Sequence, residues 1–148
     1  MIAPSLNTKS QAYRKARRIA KRDGWDPRWI RTESDVKAVL DFGCWFDAEE
    51  AERVVEFFPT FLRLWKGRKY KGKPFHLLPW AAEGLVRPVF GWQRINEFGD
   101  RIRRFQYFYL EVPKKNAKST IAAGILAYGL FGDGEPGAEI LCAANDEK

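Results

Sequence analysis

Apolar positions recur at helical spacing through most of the chain and give way to short aromatic runs only near its end. Tyr13, Ala16, Ile19 and Ala20 share one face of a basic stretch, which predicts a weakly amphipathic helix ending near Asp23 and Gly24. Residues 25–31, broken by Pro27, read as a loop. Residues 33–42 predict a short helix with Val36, Val39 and Leu40 on one face, stopped by Gly43. Asp47 suits the N-cap of a long helix running to about Lys66, with Glu49 and Glu50 complementing its dipole. Ala51, Val54, Val55, Phe58, Leu62 and Trp65 form its apolar stripe, and Pro59 should kink it. A further helix is expected from Pro79 toward Pro88.

From Arg101 the pattern changes. Residues 105–112 are short, aromatic and end in a β-branched residue, which predicts a buried strand. A turn over 113–117 leads into a helix over 119–131. A turn cluster over 132–137 leads into a second buried strand over 138–143. Residues 101–144 thus predict one βαβ unit.

Composition narrows the possibilities. A chain of 148 residues suits one domain, and 45% hydrophobic with 15% aromatic residues excludes wholesale disorder. Twenty-six Lys and Arg against 19 Asp and Glu give a net charge of +7, which favours polyanionic partners. Cys44, Cys142 and the single His76 are too few for a Cys/His zinc site, and the lone thiols fit a reducing compartment. No apolar run is long enough to span a membrane and no secretory signal is evident, so a soluble intracellular chain is expected. Cys44 and Cys142 read as small buried apolar residues, His76 as structural, and Trp45, Trp65 and Trp92 as core anchors. Asp47, Glu49, Glu50, Glu52 and Glu56 read as dipole complements rather than catalytic carboxylates. Two basic runs, 1–22 and 63–73, read either as solvated segments or as phosphate-contacting ones.

The most specific chemistry lies between the predicted aromatic strand and its helix, in Val112-Pro-Lys-Lys-Asn-Ala-Lys-Ser-Thr120. A phosphate-binding loop needs inward amides, a helix N-terminus, a lysine for the β/γ-phosphates and a hydroxyl for Mg²⁺. Lys118 and Ser119 stand in the right order, but Val112 and Ala117 occupy both glycine positions of GxxxxGK[ST]. Taken alone, the stretch reads more readily as a basic turn capping a helix.

Around it lie Cys44–Val55, Pro74–Trp80, Phe90-Gly-Trp92, Arg103-Arg-Phe105, Leu110–Thr120, Gly134–Glu139 and Ala143-Ala144. In this order and spacing the chain resembles the large subunit of tailed-phage terminases, the DNA-packaging motors. The resemblance implies an α/β chain: a helical N-terminal region followed by the first βαβ unit of a P-loop NTPase sheet, incomplete. It implies a basic helical arm over 1–43, a helical and loop lead-in over 44–100, and the βαβ unit with a degenerate P-loop over 101–148. ATP and Mg²⁺ are the implied cofactors. Lys118 would contact the β/γ-phosphates and Ser119 the metal, with Lys115, Asn116, Ala117 and Thr120 completing the cradle. Lys114 would occupy the position of the basic residue that stabilises the transition state in cis, where the family commonly has arginine. Trp80 is a candidate for lining the nucleotide pocket, although Ala81 stands where the family often has an adenine-contacting glutamine.

The implied partners are double-stranded DNA, the small terminase subunit and the portal protein, in the cytoplasm of a bacterial host cell. The family is an ATPase plus endonuclease. Its metal-holding and water-orienting carboxylates fall beyond Lys148, so this chain alone is expected to lack a complete active site, as a truncated or split fragment either marginally stable alone or completed by a separate C-terminal part. Two alternatives stand beside that reading: a basic, non-enzymatic DNA-binding protein, and an inactive prophage remnant.

Overall fold

The computed structural model describes residues 6–65, 67–113, 116–134 and 138–141. Lys66, Cys142 and the end of the second expected strand lie outside them. The chain divides into two compact units, Met1–Arg53 with Pro79–Phe108, and Val54–Leu78 with Tyr109–Lys148.

The first unit is built on capped helices. Helix α1, Gln11–Arg22, starts at Ser10, whose side chain accepts from the Tyr13 amide, and ends on Lys21 and Arg22 beside the negative end of its dipole. Its small residues Ala16 and Ala20 are fully buried, which lets α1 lie close against α2, Glu33–Phe42. A capping box formed by Thr32 and Asp35 opens α2, and Gly43, with φ at +61°, closes it in a left-handed turn. A 3₁₀ turn, Pro27–Trp29, joins the two helices.

Strand β1, Trp45–Phe46, then feeds α3, Ala48–Phe61, which starts on the expected Asp47 cap: its carboxylate accepts from the Glu50 amide at 3.0 Å. A continuous helical path follows Pro79 as α4 (Pro79–Ala81), a π-helical turn (Ala82–Val86) and α5 (Arg87–Gly91). Strands β2, Trp92–Ile95, and β3, Arg101–Arg103, form a hairpin, and the sheet order β1-β2-β3 is antiparallel throughout. The register sets Phe46 against Trp92. Trp29 stacks on Phe46 at 4.1 Å between ring centroids, while Trp92 meets Phe46 and Trp25 edge-on. These rings are the heart of the core, and each aromatic pair adds roughly 0.5–1.5 kcal/mol beyond area burial.

Arginine ties the elements of this unit together. The guanidinium of Arg104, just past β3, pairs with the buried Asp35 carboxylate, donates to the Ser34 carbonyl and hydroxyl, and lies over the rings of Trp92 and Phe105. Arg87 grips Glu52 bidentately at 2.7 and 2.8 Å and reaches Glu83 at 2.8 Å. Glu83 in turn meets Arg31.

In the second unit, the C-terminal half of α3 packs with α6, Lys118–Phe131, through Phe57, Phe58, Ile121 and Tyr128, all buried. Phe75 closes on Phe58 edge-on.

Several expectations need correction. Helix α3 ends at Phe61, five residues short of Lys66, because the Arg63 guanidinium caps it by donating to the carbonyls of Pro59, Thr60 and Leu62. Trp65 is therefore past the helix and 67% exposed, not a core anchor. Residues 105–112 and 138–141 are not strands: among the described residues no ladder partner runs beside them, and Tyr107 and Tyr109 are exposed. Aromatic β-propensity expresses packing against neighbouring strands and yields no strand without one. The fold class stands as mixed helix and sheet; its described sheet is the small antiparallel one of the first unit.

Two outcomes test this packing. Replacing Arg104 with Ala strands Asp35 without its counter-charge and should cost about 3 kcal/mol, read from the urea midpoint of tryptophan fluorescence. Arg104→Lys should recover only part of that, since an ammonium cannot fork to Asp35 and Ser34 together. The Arg87 hydrogen bonds hold the Glu52 carboxyl below its ordinary value of 4.5, against the opposing effect of burial. A carboxyl depressed in the folded state contributes stability above its unfolded pKa and loses it as pH falls toward the folded one. Melting temperature should thus drop as pH falls below about 4.5, and Glu52→Gln should flatten that acid limb while lowering the neutral plateau.

Candidate nucleotide-binding site

The candidate loop enters α6 within the second unit. Pro113 restricts the chain before the turn, and the Asn116 side-chain amide donates back to the Pro113 carbonyl at 3.2 Å. Ala117 follows with φ at +54° and ψ at +21°, the left-handed conformation, and is the only described non-glycine residue with positive φ. Alanine takes this conformation at a cost of roughly 1–2 kcal/mol.

No side chain caps α6. The first amide to bond back along the helix is that of Ile121, to the Ala117 carbonyl at 2.9 Å. The amides of Lys118, Ser119 and Thr120 are the donors a helix N-terminus leaves for an external acceptor, and the helix dipole adds positive potential there. Ala117, Lys118 and Ser119 are exposed, while Asn116 and Thr120 are half-buried. Beyond Lys118 the helix carries no charge to its end at Phe131, so nothing within α6 opposes an anion at its start.

The helix is held in place from below. A Cβ on Gly124 would stand 2.3 Å from a ring carbon of Phe58, itself fully buried and unable to swing aside. Gly124 therefore sets the approach of α6 to α3. By residue order it is one of several small residues in an Ala- and Gly-rich helix, and only the facing ring distinguishes it.

Of the expected site residues, the structure gathers Asn116, Ala117, Lys118, Ser119 and Thr120 in one turn. Lys114 and Lys115 lie outside the described residues. Trp80 stands in α4 of the first unit, partly exposed. No glutamine follows it.

Residues 81–148 match the family model described as terminase large subunit, ATPase domain. Over this stretch the chain is similar to a terminase large-subunit ATPase domain. The match spans the π-helical turn, α5, β2, β3 and α6, and includes the candidate loop. Nucleotide binding is the general property of such a terminase domain. No curated protein and no solved structure matches the chain. Among the described residues no helix is long and apolar enough to cross a membrane.

The strain at Ala117 gives a direct test of this geometry. Ala117→Gly removes the clash and should stabilise the protein by roughly 0.5–1 kcal/mol, after the larger unfolded-state entropy of glycine is discounted. Ala117→Val should destabilise it. Thermal unfolding of the two variants beside the parent reads both signs.

Proposed function

We propose that this chain binds ATP with Mg²⁺ at the start of α6, as the nucleotide-binding part of a DNA-packaging motor. One observation carries the reading: a left-handed residue stands directly before an uncapped helix whose first two residues are Lys118 and Ser119. The donor set fits the group. Lys118 supplies a mobile cation for the β/γ-phosphates, the first-turn amides supply directional donors, and Ser119 supplies a hydroxyl for the metal. Mg²⁺ when bound supplies neutralisation of the phosphate charge. Lys114 and Lys115 add positive charge to the same loop, and Lys114 is the residue assigned to steadying charge in the transition state. Lysine there offers a point charge in place of the bidentate fork of arginine.

In this reading the chain works on double-stranded DNA with a small terminase subunit and a portal protein. A basic DNA-binding role without catalysis is the second reading, favoured by α1, where Arg14, Lys15, Arg17, Arg18, Lys21 and Arg22 are all exposed.

Titration with a fluorescent ATP analogue separates the two. The parent chain should bind, and more tightly with Mg²⁺ present. Lys118→Ala should weaken binding at least about tenfold, equivalent to ~1.4 kcal/mol. Ser119→Ala should erase the Mg²⁺ enhancement while leaving metal-free binding intact. A folded parent chain that binds no nucleotide would overturn the first reading.

A further inference from the structure

We propose that the hairpin over residues 63–74 is a docking surface for the phosphates of duplex DNA. This rests on the DNA-handling reading above and is independent of the nucleotide cradle.

The sequence supplies the charge. No acidic residue occurs between Glu56 and Glu83, and the segment between them holds Arg63, Arg68, Lys69, Lys71 and Lys73 among the described residues. The structure supplies order. Arg63 and Pro74 face each other in an antiparallel bridge. Leu64 donates to the Lys73 carbonyl at 3.0 Å, and Gly72 to that of Leu64 at 2.7 Å. At the tip, the amides of Tyr70 and Lys71 both reach the Gly67 carbonyl. Gly67 and Gly72 take the positive φ values that the reversal needs. At the base, buried Phe75 anchors the hairpin on Phe58. This is a built projection rather than a slack connector.

The basic side chains then divide by role. Arg63 is committed to the carbonyls at the end of α3. Arg68, Lys69, Lys71 and Lys73 are exposed, and among the described residues no carboxylate pairs with them. Tyr70, half-exposed, carries the ammonium groups of Lys69 and Lys73 over its ring at 5.9 and 6.0 Å. Such interactions contribute about 0.5–1 kcal/mol each at an exposed site, enough to bias two long side chains toward one place. An acid-free cluster of oriented ammonium groups recognises a polyanion by charge. With lysines over its ring, Tyr70 orders cations rather than offering a platform for unstacked bases, which favours an intact duplex over a single strand. A hairpin tip with no helix to lay in a groove meets backbone phosphates and reads no sequence.

The test is fluorescence anisotropy of the full chain with duplex DNA of arbitrary sequence, without nucleotide, over a salt series. Affinity should fall linearly in log–log form. The triple variant Lys69→Gln, Lys71→Gln and Lys73→Gln should bind more weakly. Its salt slope should be shallower by roughly 0.9 for each phosphate no longer neutralised, so about 2–3 in all. The matching triple Lys→Arg variant should keep the parent slope. A Gln variant indistinguishable from a parent that binds duplex overturns the hairpin assignment and leaves the DNA reading standing. Preference for single-stranded DNA or for RNA over duplex also overturns it. A parent chain that binds no duplex at all removes the DNA reading itself.

Discussion

With its φ of +54°, Ala117 turns the chain abruptly into α6, and every feature of the candidate site depends on that turn. A right-handed residue there would extend the helix back by one residue and draw the Thr120 amide into an intrahelical bond, leaving fewer of the amides of Lys118 to Thr120 free. The left-handed one stops the helix instead and leaves those donors at its end. The conformation is uphill for alanine, so the surroundings must hold it. Two restraints do so on either side. The Asn116 side chain is tied to Pro113 before the turn, and α6 is seated by Gly124 on Phe58 after it. Strain kept in this way, next to an exposed lysine and serine, suits the proposed phosphate site, where the ligand would supply the missing acceptors.

Where a local rule decides structure, the sequence was legible. Asp47 starts a helix as read because its oxygen satisfies an amide three residues on, and Gly43 stops one because the chain there turns left-handed; Ser10 and Thr32, not singled out in the sequence, cap helices by the same rule. Lys118 and Ser119 at the head of a helix could likewise be read from the order of residues alone. What depended on distant partners could not. Nothing near Arg104 in sequence announces Asp35, 69 residues away, and nothing near Gly124 announces Phe58. Periodicity alone puts Trp65 on a helix face, but Arg63 ends the helix first by turning its guanidinium back onto the last carbonyls. The aromatic segment 105–112 has every residue preference of a strand. Preference without a described neighbour to pair with yields no strand.

The same chain uses its two kinds of basic residue differently, and this separates stability from function. In the first unit the carboxylates of Asp35, Asp47, Glu52 and Glu83 are taken by Arg104, Arg101, Arg87 and Arg31. Asp47 shows the balance involved: burial pushes its carboxyl up, yet the Glu50 amide and Arg101 together hold it below the ordinary value. Planar guanidinium groups suit this work because one of them can bridge a carboxylate, a carbonyl and an aromatic face at once. Lysines are spent otherwise. Lys69, Lys71, Lys73 and Lys118 in the second unit are exposed and, among the described residues, engage no carboxylate. A net charge of +7 is therefore not spread evenly over the molecule's tasks. The arginines that pair with acids neutralise them inside the fold, while these lysines, like Arg68, stay exposed with no described carboxylate partner. Phosphate, on a nucleotide at α6 and along a duplex at the hairpin, is the anion proposed above for both surfaces.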